Sequence, residues 1–179
     1  PQSFYAISKY SSERYLIKLS EKYGINWKIL RFFNVYGPGQ DLSRTDQGIV
    51  SIFLDLIRNK NKIKVNGSLK RFRDLIYIDD VIQALTLVLA DKKNKNQIYN
   101  VGTGKKTTVR KLIQLISKLY EKEKYLKVLV SNPTPGDILG CYEDQKKIKK
   151  DLKFKAKIDL KQGLKFFKDW AEEYYYIKK

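Results

Sequence analysis

Apolar and polar positions along the chain change period repeatedly, and each change marks a new element. From residue 5 to residue 23, Leu16, Leu19 and Tyr23 recur at three and four, which predicts a helix that Gly24 stops. Asn26 to Phe33 is a short apolar run and predicts a strand. Asn34 to Gln40, with Gly37-Pro38-Gly39, is expected to hold no regular structure. A second helix is predicted from about Gly48 to Asn59, with Ile52, Phe53, Leu56 and Ile57 on one face. A short strand at Ile63–Val65, a turn at Asn66-Gly67 and an extended stretch from Arg73 to Tyr77 follow. Asp79 or Asp80 is expected to cap a helix ending near Ala90. Then come a strand at Gln97–Val101, the Gly102-Thr103-Gly104 loop and a helix capped by Thr107 or Thr108. The core face of that helix is Val109, Leu112, Ile113, Ile116 and Leu119. A strand at Leu126–Val130, a loop at 132–137 and helices near 144–152 and 160–176 close the chain.

Strands alternating with helices predict an α/β fold. The 179 residues, 42% hydrophobic, suffice for one ordinary domain and exclude a chain disordered throughout. No run approaches the roughly 18 apolar residues of a transmembrane helix. One cysteine, Cys141, excludes an internal disulfide, and the absence of histidine excludes a His-based metal site. No secretory signal opens the sequence, so the expected compartment is the cytoplasm. No methionine occurs, so Pro1 is not a translation start and the chain reads as processed or as part of something longer.

The net charge of +18 raises the question of a nucleic-acid partner. The excess is spread along the chain and comes from 30 lysines against 7 arginines. Bidentate recognition of phosphates and bases favours arginine. The charge therefore predicts a solvated basic surface with salt-dependent affinity for anionic ligands, and nucleic acid is not the expected partner.

Tyr5 and Lys9 stand four apart on the first predicted helix and share a face. A tyrosine ionises near pH 10, and lowering that by about three units requires roughly 4 kcal/mol. A lysine charge about 4 Å away supplies about that much at an effective dielectric near 20. Tyr-x-x-x-Lys is therefore a chemically sufficient phenolate base, although both residue types are abundant here. Further motifs follow in order. They are Arg31-Phe32-Phe33-Asn34-Val35-Tyr36-Gly37-Pro38-Gly39, Arg71-Phe72-Arg73-Asp74-Leu75-Ile76-Tyr77-Ile78-Asp79-Asp80-Val81, Tyr99-Asn100-Val101-Gly102-Thr103-Gly104 and Pro135-Gly136-Asp137.

In order and spacing these motifs resemble the extended short-chain dehydrogenase/reductase family. Within it they are nearest to the NAD-dependent nucleotide-sugar epimerases and dehydratases of the UDP-glucose 4-epimerase group. The resemblance implies that Tyr5 is the catalytic base and that Lys9 assists it and holds the nicotinamide ribose. It implies that Phe32 and Phe33 line the nicotinamide side. Asn34 and Arg73 would bind the substrate diphosphate, a role that suits arginine's planar, permanent charge. The backbone of Lys64 and Val65 would meet the base, and Asp137 would lie near the nucleotide ribose. Cys141 would face the hexose near its C2 substituent, the alternative being that it points into the core.

The implied architecture is α/β, the C-terminal part of a Rossmann-type nucleotide-sugar epimerase, mainly the small α/β substrate-binding domain. Residues 1–33 would be the tail of the NAD-binding domain and residues 34–179 mainly the substrate domain. The implied activity is epimerisation of a UDP-hexose at C4 with NAD, in a homodimer when full length, the fragment itself being inactive. Alternatives are a nucleotide-sugar 4,6-dehydratase, a non-catalytic nucleotide-sugar binding module and a basic nucleic-acid-binding domain. Two departures stand out. The family's Gly-x-x-Gly-x-x-Gly fingerprint is absent, Gly102-Thr103-Gly104 being a structural turn, and Thr134 stands where a second diphosphate-binding arginine is common. Arg71 is a candidate replacement. The aromatic tail, Trp170 and Tyr174 to Tyr176, is expected in the core or an interface.

Overall fold

The structure, a computed structural model, describes residues 3–44, 48–133 and 138–177, with side chains through Glu173. In chain order the elements are α1 (Phe4–Tyr23), β1 (Lys28–Phe32), β2 (Asn34–Tyr36), α2 (Ile49–Asn59) and β3 (Lys62–Asn66). They continue with β4 (Phe72–Arg73), β5 (Leu75–Tyr77), α3 (Ile78–Ala90), β6 (Gln97–Val101) and β7 (Thr107–Thr108). The last are α4 (Val109–Leu119), β8 (Lys127–Ser131), β9 (Gly140–Cys141), α5 (Lys146–Leu152) and α6 (Leu160–Ile177). No described helix is long and apolar enough to cross a membrane.

Local chemistry sets the helix ends. The Ser3 hydroxyl accepts the Ala6 N–H at 3.1 Å to open α1, and Gly24 closes it at φ 66°, a left-handed conformation that costs glycine little. Thr108 caps α4 by accepting from the Lys111 N–H at 3.1 Å. The predicted stripe of α4 is buried at Val109, Leu112, Ile113 and Ile116.

Pairing is predominantly parallel. β1 runs beside β6 from Lys28↔Gln97 to Phe32↔Val101, β2 beside β5, and β3 beside β8. The chain crosses from one pair to the next within two residues. Phe33 donates its N–H to the Val101 carbonyl at 3.0 Å, and Asn34 donates its own to the Asp74 carbonyl at 3.0 Å. A smaller set joins β4 antiparallel to β7 and parallel to β9.

β5 separates two apolar cores, as the two-residue period of a strand requires. Leu75 and Tyr77 face the core closed by α2, α4 and α6, with Tyr36, Leu54, Ile57, Ile116 and Phe167. Ile76 faces the other, closed by α3 and α5 and filled by Val81, Ala84, Tyr99, Val101 and Phe154. A central strand buried on both faces is why Leu75-Ile76-Tyr77 reads as an unbroken apolar run.

Several expectations change here. The fold is not mainly a small substrate-binding domain. Parallel strands with helices on both faces are the layering of a Rossmann-type sheet. The β1–β6 pair also takes one strand from each side of residue 33. Asn34–Tyr36 is a strand despite the Gly-Pro-Gly that follows it, because β5 supplies its ladder. Neither aspartate caps α3: Tyr77 holds the cap position, without a side-chain bond. Asp80 is instead buried and accepts the N–H groups of Lys157 at 2.8 Å and Ile158 at 3.1 Å. The stripe of α1 is not buried either. Leu16 and Tyr23 remain exposed, and Ser20 is the buried residue of that helix.

Candidate functional site

The residues expected to act together fall into two groups with a third set apart. The first lines a groove of about 660 Å³ between α1 and β1, which includes Tyr5, Lys9 and Phe32. Helical spacing places the Lys9 ammonium over the Tyr5 ring, 5.6 Å from its centroid. Tyr5 is 72% exposed and Phe32 is exposed as well. Arg31 on β1 fastens the groove by donating Nε to Glu13 on α1 at 2.7 Å. Hydrogen bonding from Arg31 holds the Glu13 carboxyl below the ordinary glutamate range, against its partial burial.

The second group gathers where β2, β4, β5 and β9 end. Arg73 and Cys141 are register partners on β4 and β9. Arg73 is half-buried and donates Nη1 to the Phe72 carbonyl at 2.8 Å. Asn34 donates both its backbone N–H and one Nδ2 hydrogen to the Asp74 carbonyl, the latter at 3.2 Å, which leaves its second Nδ2 hydrogen and its Oδ1 for a ligand. Phe33 is half-buried beside them through its bond to Val101. Cys141 is exposed, which overturns the alternative that it points into the core.

Lys64 and Val65 lie apart on β3. The Lys64 side chain is exposed, Val65 is buried in the larger core, and both pair with β8. Arg71 links this strand to β4 by donating from Nε to the Ser68 carbonyl at 3.1 Å and from Nη2 to the Asn66 carbonyl. Its guanidinium is thus engaged with the chain, which weakens its candidacy as a diphosphate clamp. Asp137 and Thr134 fall outside the described residues. Trp170 stacks on Phe167 at 5.8 Å, in the larger core, while the side chains of Tyr174 to Tyr176 are outside the description.

Sequence reasoning missed one feature of this region. Asp74 is fully buried between β4 and β5 and organises the 102–104 loop. Its Oδ1 accepts the Thr103 N–H at 2.9 Å, and its Oδ2 accepts the N–H groups of Gly104 at 2.8 Å and Glu143 at 3.1 Å. Glu143, also buried, accepts the Gly102 N–H on Oε2 at 2.9 Å. Its Oε1 has no hydrogen-bond partner among the described residues. Burial pushes the Glu143 carboxyl up to about 7 against the pull of the Gly102 N–H, and the charge of Asp74 adds to the rise. An aspartate immediately before the apolar run Leu75–Tyr77 was the available signal for Asp74; Glu143 had none.

The model of the NAD dependent epimerase/dehydratase family matches residues 1–102. A putative UDP-glucose 4-epimerase of Methanocaldococcus jannaschii is 37% identical over 173 residues, covering 96% of this chain and 54% of that protein. Among solved structures, UDP-glucose 4-epimerase of Thermotoga maritima with UDP-glucose superposes with a TM-score of 0.90 at 33% identity, over 98% of this chain and 55% of that one. The UDP-glucose 4-epimerase of Thermus thermophilus in complex with NAD superposes with a TM-score of 0.84 at 30% identity, over 96% and 55%. The chain spans about half the length of the relatives it matches. The family match overturns the expectation of a C-terminal half that is mainly substrate domain. The first 102 residues of this chain themselves carry the signature of the NAD-dependent family. The chain is homologous to UDP-glucose 4-epimerases and belongs to the NAD-dependent epimerase/dehydratase family.

Proposed function

We propose that this chain carries the proton-transfer pair and part of the nucleotide-sugar site of an NAD-dependent epimerase acting on a UDP-hexose at C4. The observation that carries the reading is the likeness, over nearly the whole chain, to an epimerase solved with UDP-glucose. The Tyr5–Lys9 pair beside a groove large enough for a small-molecule site supports it.

Lys9 and Phe32 on the groove suit the nicotinamide end of the cofactor, and Phe33, next in the chain and half-buried, would support Phe32 there. NAD, when bound, supplies a reversible hydride acceptor. Tyr5 would take the proton from the C4 hydroxyl as the C4–H bond gives up its hydride, and would give the proton back to the same oxygen once hydride is restored to the opposite face of C4. Lys9 would favour the ionised form of the phenol and hold ribose hydroxyls. Arg73 would clamp the diphosphate with Asn34 donating or accepting beside it, the Lys64–Val65 backbone would meet the base, and Asp137 the ribose. Cys141, small and exposed beside Arg73, would leave room at the hexose C2 position, so that N-acetylhexosamine nucleotides are accepted as well as plain hexoses.

The 179 residues hold no Gly-x-x-Gly-x-x-Gly loop, the usual cradle for a dinucleotide pyrophosphate. The chain by itself would therefore bind nucleotide sugar without turning it over. The apolar side chains that α1 leaves exposed, such as Ile7 and Tyr15, support a homodimer in the intact enzyme. Assaying the intact enzyme with NAD against a panel of nucleotide sugars tests the reading. Interconversion of UDP-glucose or UDP-N-acetylglucosamine with its C4 epimer is expected. Loss of water to a 4-keto-6-deoxy product would replace it with a dehydratase, and binding with no turnover of any sugar would leave a binding module. Turnover by the 179-residue chain alone would refute the inactivity proposed for it.

A further inference from the structure

Asp74 and Glu143 bring two buried carboxyl groups to one loop. Asp74 is fully buried and Glu143 is 2% exposed. The loop between them is Gly102-Thr103-Gly104, which offers N–H groups and a hydroxyl but no charge. The space is closed. A Cβ on Gly102 would stand 2.7 Å from Asp74 Oδ2 and 3.0 Å from the Glu143 Cβ, so no further group fits between. Glu143 is bound at both ends: its main-chain N–H donates to Asp74 and its side chain accepts from Gly102.

We propose that Asp74 and Glu143 form a proton-operated clamp on strand β9, closed while Glu143 is neutral and loosened when Glu143 ionises beside Asp74. The Glu143 N–H lies two residues past Cys141, and Cys141 is the register partner of Arg73, so the clamp holds β9 on β4. Any effect on nucleotide-sugar affinity rests on the function proposed above; the clamp itself does not.

The charges around the pair favour this behaviour. Asp74 and Asp144 both disfavour a second negative charge on Glu143, while the Gly102 N–H that it accepts and the nearby Gln145 amide, whose Nε2 donates to the Gly102 carbonyl, are neutral. Three nearby cations are engaged elsewhere, while Lys105, Lys155 and Lys157 line a pocket with Thr103 and Gln145. Arg73 donates to the Phe72 carbonyl, Lys106 lies over the rings of Phe72 and Tyr142, and Lys146 pairs with Asp144 at 3.5 Å. Lys105, which follows the loop, is exposed, as is the Cys141 thiol on β9. A buried glutamate whose carboxyl titrates above its ordinary 4.5 keeps in the folded state a proton that the unfolded chain has released. The stabilisation is therefore full below that value, and it declines as pH rises through about 7.

Hydrogen exchange of the Cys141 to Glu143 amides in the 179-residue chain, without ligand, tests the clamp. After correction for the intrinsic pH dependence, wild-type protection should fall about tenfold between roughly pH 5.5 and 8, one decade being about 1.36 kcal/mol. Glu143→Gln keeps the Gly102 bond without the charge, and its protection should stay within about twofold. A carboxyl carbon NMR titration of the wild type decides independently of that variant. Its midpoint should lie near 7, and Asp74→Asn should move it down. A Glu143 midpoint in the ordinary glutamate range, or equal loss of protection in Glu143→Gln, would overturn the proposal. Neither outcome bears on whether UDP-sugars are the substrates.

Discussion

Arg31 on β1 reaches across to Glu13 on α1 and donates to both carboxylate oxygens, the Nε–Oε1 distance being 2.7 Å. The pair spans the groove that holds Tyr5 and Lys9, so it sets the height of the helix above the strand. Glu13→Gln is expected to lower stability in urea unfolding by about 1 kcal/mol at neutral pH, the upper part of the range for partly exposed pairs. The Glu13 carboxyl is depressed in the folded state. Its contribution is therefore present above the ordinary glutamate range and disappears as pH falls through the folded value. Wild type and variant should converge in acid; a difference that persists there would mean that the loss is packing rather than charge.

Gly163, in α6, packs against the hydroxyl of Tyr36 on β2, where an added Cβ would collide with the phenol. Tyr36 is buried and touches Tyr77 edge-on at 5.6 Å, so it cannot move aside freely. Gly163→Ala should destabilise the chain by about 1–3 kcal/mol, as overpacking of a dense core does, despite alanine's better helix propensity. A thermal midpoint equal to or above wild type would show that α6 can shift.

Asp80→Ala should cost about 2–3 kcal/mol, because the N–H groups of Lys157 and Ile158 lose a buried acceptor. Asp80→Asn, which retains one acceptor oxygen, should recover part of that loss. Chemical denaturation of the three proteins measures the order, and equal stability of the alanine and asparagine variants would contradict it.

If the proposed role holds, in which the hydroxyl serves proton transfer alone, Tyr5→Phe in the full-length protein should reduce turnover by about 10²–10⁴-fold and leave substrate affinity unchanged. Lys9→Ala should weaken cofactor binding and slow turnover together. Retention of more than about a tenth of wild-type kcat in Tyr5→Phe would assign the base elsewhere.

Arg73→Ala should weaken UDP-sugar binding by about 1.5–3 kcal/mol, the worth of a charge-assisted bond, and Asn34→Ala should do so more mildly. Calorimetric titration with UDP reads the difference, and unchanged affinity would place the diphosphate elsewhere. Cys141→Tyr should selectively lower kcat/KM for UDP-N-acetylglucosamine relative to UDP-glucose, because a ring at that position would overlap an acetamido group. An equal loss on both sugars would discard the role given to Cys141.

The elements most legible in the sequence were those whose stability is local or strongly periodic. The stripe of α4 and the Gly24 stop of α1 follow from side-chain spacing and short-range hydrogen bonds. Gly24 stops α1 as read, the α4 stripe is buried except at the half-buried Leu119, and of the two threonines offered as its cap, Thr108 is the one. The order and spacing of the Tyr5–Lys9, Asn34, Arg73 and Gly102-Thr103-Gly104 motifs pointed to the family. They did not reveal how the chain is layered, and the emphasis on a substrate domain failed for that reason.

What only the tertiary structure decided lies in contacts between residues far apart in sequence. Asn34–Tyr36 is too short and too close to Gly-Pro-Gly to read as a strand, and it exists because β5, far along the chain, offers a ladder. Asp80 has the composition of a cap, yet Lys157 and Ile158 claim its carboxylate. Asp74 and Glu143 meet across 69 residues at the N–H groups of one loop. Periodicity along a chain reports which face of an element seeks burial, whereas the partner of a buried polar group is set by which segments the fold brings within hydrogen-bond reach.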